Sequence, residues 1–126
     1  MNMRTPLKKA RHLGSAKEGT THFWLQRVTA IANLVLAIYL VWLIASLAGA
    51  NYETVRTAMT SPITALLLLF LILSGTAHMR LGMQTIIEDY IHSEGAKVVA
   101  LILNTFFAVA IAAASIWAVL KLSFGA

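Results

Sequence analysis

Cysteine is absent from this chain, and charge is scarce: of its 126 residues 12% are charged and five are acidic. Without thiols the chain holds no intrinsic disulfide, no thiolate metal ligand and no iron–sulfur cluster of its own. Nor does it carry a catalytic triad, a phosphate-cradling glycine loop, a dinucleotide-binding glycine pattern or a metal-binding cluster. These absences argue against a self-contained enzyme and favour a subunit that supplies part of a shared site. Residues 1–21 are polar and basic and lack the apolar core of a signal peptide. There is no internal repeat, low-complexity linker or second domain.

What the chain does have is apolar length, with 59% of its residues hydrophobic. Long runs cover residues 28–47, 63–87 and 98–120, and only the second contains a charge, Arg80. Each is long enough to cross about 30 Å of hydrocarbon as a helix. The expected fold is therefore an all-α membrane protein with three transmembrane helices, at about 24–48, 62–88 and 97–121, after a basic segment over 1–20. Gly14 and Gly19 are expected to interrupt helix formation in that segment. Gly49 fits a helix C-terminus, Ser61-Pro62 a helix start, and residues 92–95 a turn. The stretch 50–61 reads as a short loop or an interfacial segment. The small-residue run Ala108–Ser115 suggests that the third span packs against another helix.

The net charge of +5 is unevenly placed: Arg4, Lys8, Lys9, Arg11, Lys17 and Arg27 precede or open the first span, while Arg56 and Lys121 lie on the other side. The positive-inside rule then puts the N-terminus and the 88–97 turn in the cytoplasm and the C-terminus outside. The basic segment is too short and too near a span to suit nucleic acid. Lipid headgroups or a partner protein are better neighbours.

His78 is the focus of the second span, because an ionisable group at membrane depth is a functional candidate by default. Neutral imidazole is a common axial ligand of haem iron. Gly75 and Gly82 flank His78 on nearly one helix face and would leave room for a flat macrocycle. The plainer alternative is an interhelical hydrogen bond from His78, with the glycines serving close helix packing. His12, His22 and His92 lie shallower, so a second axial ligand would come from another chain. Asp89 lies eleven residues after His78, about three turns and roughly 16 Å along the same face, and is followed by Tyr90. A tyrosine hydroxyl suits a quinone carbonyl, and a neighbouring carboxylate suits proton relay; an interfacial tyrosine and a solvated acid are the alternative. Arg80 can snorkel or pair with an acid or a propionate, and Arg27 can hold propionates or lipid. His22 reads as an interfacial side chain able to meet a cofactor carboxylate.

The run H-M-R-L-G-M-Q-x-I-I-E-D-Y, His78 to Tyr90, with the earlier block G-x-x-H-F-W-x-Q-R-V-T-A, Gly19 to Ala30, resembles the D-type hydrophobic membrane anchor of bacterial succinate dehydrogenase, respiratory complex II. The resemblance covers nearly the whole chain. It implies a multi-pass protein of the bacterial inner membrane, non-catalytic alone, paired with a second three-helix cytochrome b anchor. The two would share one haem b, with His78 as one axial ligand to its iron. The resemblance places Arg27 and His22 near the haem propionates, and Tyr90 and Asp89 at the ubiquinone site. FAD and iron–sulfur clusters would belong to flavoprotein and iron–sulfur subunits docked on the cytoplasmic face. An anchor of a quinol:fumarate reductase and a cofactor-free membrane scaffold stay open as alternatives.

Overall fold

The computed structural model describes residues 5–7 and 17–125, and in that range the chain is helical almost throughout. The main elements are α1 (Lys17–Leu47), α2 (Tyr52–Thr60), α3 (Pro62–Tyr90) and α4 (Glu94–Ser123). Three of them, Gly19–Leu47 within α1, then α3 and α4, are long and apolar enough to cross a membrane. At 1.5 Å per residue the 29 residues of α3 reach about 43 Å, more than the hydrocarbon alone requires. Its last turn, with Asp89 and Tyr90, therefore lies beyond the apolar core when the helix is centred.

The junctions follow local chemistry. Gly49 ends α1 with a φ of 77°, a left-handed conformation that an L side chain would resist. Asn51 caps α2, its Oδ1 accepting from the Thr54 backbone N–H at 2.9 Å and from Thr54 Oγ1 at 2.8 Å. The stretch 50–61, expected as a loop or interfacial segment, is thus mostly a nine-residue helix. Pro62 starts α3, where its missing N–H has no helical partner to lose.

Two expected breaks are corrected. Gly19 lies inside α1, which begins at Lys17; a single glycine costs about 1 kcal/mol relative to alanine, too little to stop so long a helix. Glu94 and Gly95 belong to the first turn of α4, so the turn is only residues 91–93. Glu94 there complements the helix dipole and lies 3.8 Å from Lys97 Nζ. Gly14, His12 and the basic residues Arg4, Lys8, Lys9 and Arg11 lie outside the described residues.

The helices stand in a row. Helix α3 is central, with α1 along one side and α4 along the other, while α2 packs across the ends of α3 and α4. Tyr39 of α1 donates to Thr64 Oγ1 of α3 at 3.2 Å and fixes the antiparallel register at that end. Ala108 of α4 is buried, as the small-residue run suggested, but Ala110, Ala113 and Ala114 remain exposed. Among the described residues the closed core is thin: Leu43, Ala65, Leu68, Leu81, Ile87, Ala108 and Thr64 are buried. Large apolar side chains such as Val41, Phe106 and Trp117 face outward. In lipid this is the stable arrangement, since hydrocarbon solvates them as well as a protein core would.

Candidate functional site

The α1–α3 seam brings His78 onto a polar stripe. On α1, His22, Gln26, Thr29 and Asn33 recur at intervals of four, three and four residues, which puts them on one helical face. That face meets Ser74, Gly75, His78 and Gly82 of α3. Thr29 Oγ1 lies 3.0 Å from His78 Nδ1, and Ser74 Oγ donates to the Thr29 carbonyl at 3.2 Å.

The hydroxyl of Thr29 has one proton, and its shortest contact, 2.7 Å, is to the carbonyl of Leu25. Serine and threonine in helices habitually donate to that i−4 carbonyl. With the proton spent there, the Thr29 oxygen accepts from His78, which puts the imidazole proton on Nδ1. The lone pair is then on Nε2, which makes no hydrogen bond among the described residues and is not enclosed. This is the tautomer that an imidazole must adopt to ligate a metal through Nε2, oriented by a second hydrogen bond.

The two glycines also face this seam. A methyl group added at Gly82 would lie 3.5 Å from the Gln26 amide nitrogen, and one at Gly75 would lie 4.0 Å from Asn33 Oδ1. Both positions would accept it at ordinary contact distance. His22 Nε2, Gln26 Oε1 and Asn33 Oδ1 are shut off from the surface and have no hydrogen-bond partner among the described residues. Left bare, such groups cost about 1–3 kcal/mol each. His22, expected as an interfacial side chain, is half-buried, with its Nε2 enclosed.

Arg80 points the other way. Its Nε donates to Thr105 Oγ1 of α4 at 3.3 Å, while Asn104 Nδ2 donates to its backbone carbonyl at 3.0 Å. Arg80 therefore ties α3 to α4 and is not gathered with His78. Arg27 lies off the stripe, its guanidinium 3.9 Å from the centre of the Phe23 ring. Asp89 and Tyr90 are exposed at the end of α3, and Glu88 accepts a bond from Gln84 at 2.8 Å. Among the described residues there is no cluster of three or more potential metal-ligating side chains.

Thr29, Gln26, Asn33 and Ser74 were not singled out from sequence. For the three on α1 the signal was there in their helical spacing along a largely apolar helix, which marks a face turned away from lipid.

A family profile described as the succinate dehydrogenase/fumarate reductase transmembrane subunit matches residues 1–112, which include the whole stripe and the end of α3. The chain belongs to that family. Among its relatives, the succinate dehydrogenase hydrophobic membrane anchor subunit of Paracoccus denitrificans is 33% identical over 122 residues, 97% of this chain and 94% of that protein. The subunit of the same name from Rickettsia conorii (strain ATCC VR-613 / Malish 7) is 36% identical over 94 residues, covering 71% of this chain and 72% of its own. That from Rickettsia bellii (strain RML369-C) is 33% identical over 90 residues. The resemblance carried by the His78–Tyr90 run is borne out. With its three apolar helices, this member of the succinate dehydrogenase/fumarate reductase family is a multi-pass membrane protein.

Proposed function

We propose that this chain anchors a succinate:ubiquinone oxidoreductase in the bacterial inner membrane and supplies half of a haem b site and part of a quinone site. The observation that carries the haem reading is the 3.0 Å contact between Thr29 Oγ1 and His78 Nδ1: with the Thr29 proton directed at the Leu25 carbonyl, it favours Nδ1–H and leaves Nε2 to bind iron. The donor chemistry fits the group, since a neutral imidazole oriented by a hydrogen bond is a good axial ligand. Bound there, haem would accept and release single electrons. Arg27 and His22 are the candidates to meet its propionates. The second axial histidine would come from the partner cytochrome b anchor.

Tyr90 and Asp89 extend past the apolar core, where the hydroxyl can donate to a quinone carbonyl and the carboxylate can exchange protons with water. Flavoprotein and iron–sulfur subunits, docked on the N-terminal side, would deliver electrons from succinate to that end. The family description also names fumarate reductase. The same residues would serve the reverse reaction, whose direction depends on cofactor potentials.

The test is a reduced-minus-oxidised visible spectrum of the affinity-purified complex, for the natural chain and His78→Ala at equal anchor content. A b-type signal that is lost or shifted in the variant is the expected result. An unchanged spectrum would remove His78 as a ligand, and no haem signal in the intact natural complex would favour a cofactor-free anchor.

A further inference from the structure

We infer that the α3–α4 face around Arg80 docks a membrane-spanning helix of a different chain, one that carries an Asp or Glu at the depth of Arg80. Arg80 is exposed, and only its Nε is engaged, by Thr105 Oγ1 at 3.3 Å. The Thr105 hydroxyl sends its own proton to the Leu101 carbonyl at 3.0 Å, so it serves Arg80 as an acceptor. The N–H groups of the two terminal guanidinium nitrogens have no partner among the described residues. Arginine does not lose its charge, and a charged side chain facing hydrocarbon is among the costliest to leave uncompensated.

Depth decides what can compensate it. Arg80 precedes Tyr90 by ten residues, about 15 Å of helix. With α3 centred on about 30 Å of hydrocarbon, the Arg80 backbone lies roughly 8 Å inside the boundary. Thr105 is at similar depth, eleven residues or about 16 Å from the start of α4. The nearer surface is at the C-terminal end of α3, whereas helical side chains lean toward the N-terminus. The Thr105 bond thus holds the guanidinium at depth, below the reach of lipid phosphates. His78, two residues earlier, lies about 160° away around α3, so a cofactor ligated there is on nearly the opposite side. This chain has no acid to offer either: Glu18, Glu53, Glu88, Asp89 and Glu94 all fall outside the three apolar runs. A second copy in the same orientation brings the same acids at the same wrong depths. The counter-charge therefore belongs to another membrane-embedded chain.

The surface beside Arg80 suits a helix. A shallow groove of about 190 Å³ between α3 and α4 is lined there by Thr76, Ala77, Ala108 and Ala112. Small side chains let a third backbone approach closely. A carboxylate on that helix can then accept two parallel bonds from the guanidinium.

This inference rests on the three spans and the α3–α4 packing, and it holds whether or not His78 carries haem. It is tested by placing the photo-crosslinking residue p-benzoylphenylalanine at Val109, exposed on the same groove, in the full-length chain in native membranes. Expected is a crosslink to a membrane-spanning peptide of a different chain, with an Asp or Glu within one turn of the crosslinked residue. Arg80→Leu should then weaken association with that chain by roughly thirtyfold or more. That variant removes a charge from the bilayer and inserts more readily, so failure to fold would not explain the loss. Arg80→Glu should lose the chain as well, and replacing the partner's acid by arginine should restore it. A crosslink to lipid alone, to a second copy or to a helix without an acid, no crosslink at all, or undiminished association of Arg80→Leu would overturn the proposal. The haem spectrum of the natural complex is read independently, so the two proposals stand or fall separately.

Discussion

The bond between Thr29 and His78 orients the imidazole, and it can be removed by one substitution. Thr29→Val keeps the shape of the side chain but leaves the His78 N–H without its acceptor, at a cost of about 1–3 kcal/mol. Thr29→Ser restores an oxygen. Unfolding in graded denaturing detergent should therefore give a lower midpoint for the valine variant and a near-natural one for the serine variant; equal midpoints would mean that the bond does not form. At the other end of α3, Tyr90→Phe removes a single hydroxyl from an exposed ring. If that hydroxyl bonds quinone, kcat/KM for quinone should fall by roughly three- to tenfold with haem content unchanged, since a net hydrogen bond contributes about 0.5–1.5 kcal/mol. His78 was legible in the sequence because ionisable groups are rare at membrane depth. Thr29 was not, because 49 residues separate the two and only the register between helices reveals the contact. The direction of Arg80 was hidden for the same reason: its ties to Thr105 and Asn104 depend on where α4 lies.

Between elements, close approach replaces hydrophobic burial as the source of cohesion, because lipid offers no solvent penalty for exposed leucine. The three long apolar helices were legible from hydropathy, and Gly49 and Pro62 marked real ends. Gly19 and Gly95 did not, since a helix already supported along its length absorbs one glycine. The small-residue run of α4 was legible as a packing surface but not as to which residues pack: Ala108 is 4% exposed, whereas Ala110 is open. Ala108→Leu should force α4 away from α3 and cost about 1–3 kcal/mol. Ala110→Leu should be near neutral, and the pair compared in the same detergent titration isolates the contact from helix propensity. Equal effects would mean that the α3–α4 packing is wrong.

At the scale of the whole molecule, the row α1–α3–α4 has two ends with opposite chemistry. One gathers the N-terminal end of α1, with His22 and Arg27, and the end of α3, with Asp89 and Tyr90; the other carries α2 and the end of α4. Six basic residues, Arg4, Lys8, Lys9, Arg11, Lys17 and Arg27, mark the first end in sequence, against Arg56 and Lys121 at the second. Charge near a span sets orientation by opposing translocation, so the first end should stay in the cytoplasm. Alkaline phosphatase, active only outside, should be active when fused after Ala126 or in the 50–61 stretch and inactive when fused after Ser93; green fluorescent protein should give the inverse pattern. The opposite result would place Tyr90 and the N-terminal end of α1 outside, beyond reach of the proposed cytoplasmic electron-donating subunits, and would end the proposed anchor mechanism while leaving the helix packing intact. With the expected result, the proposed quinone contact at Tyr90 and the proposed docking of the soluble subunits fall on one face, as electron delivery from a soluble donor requires.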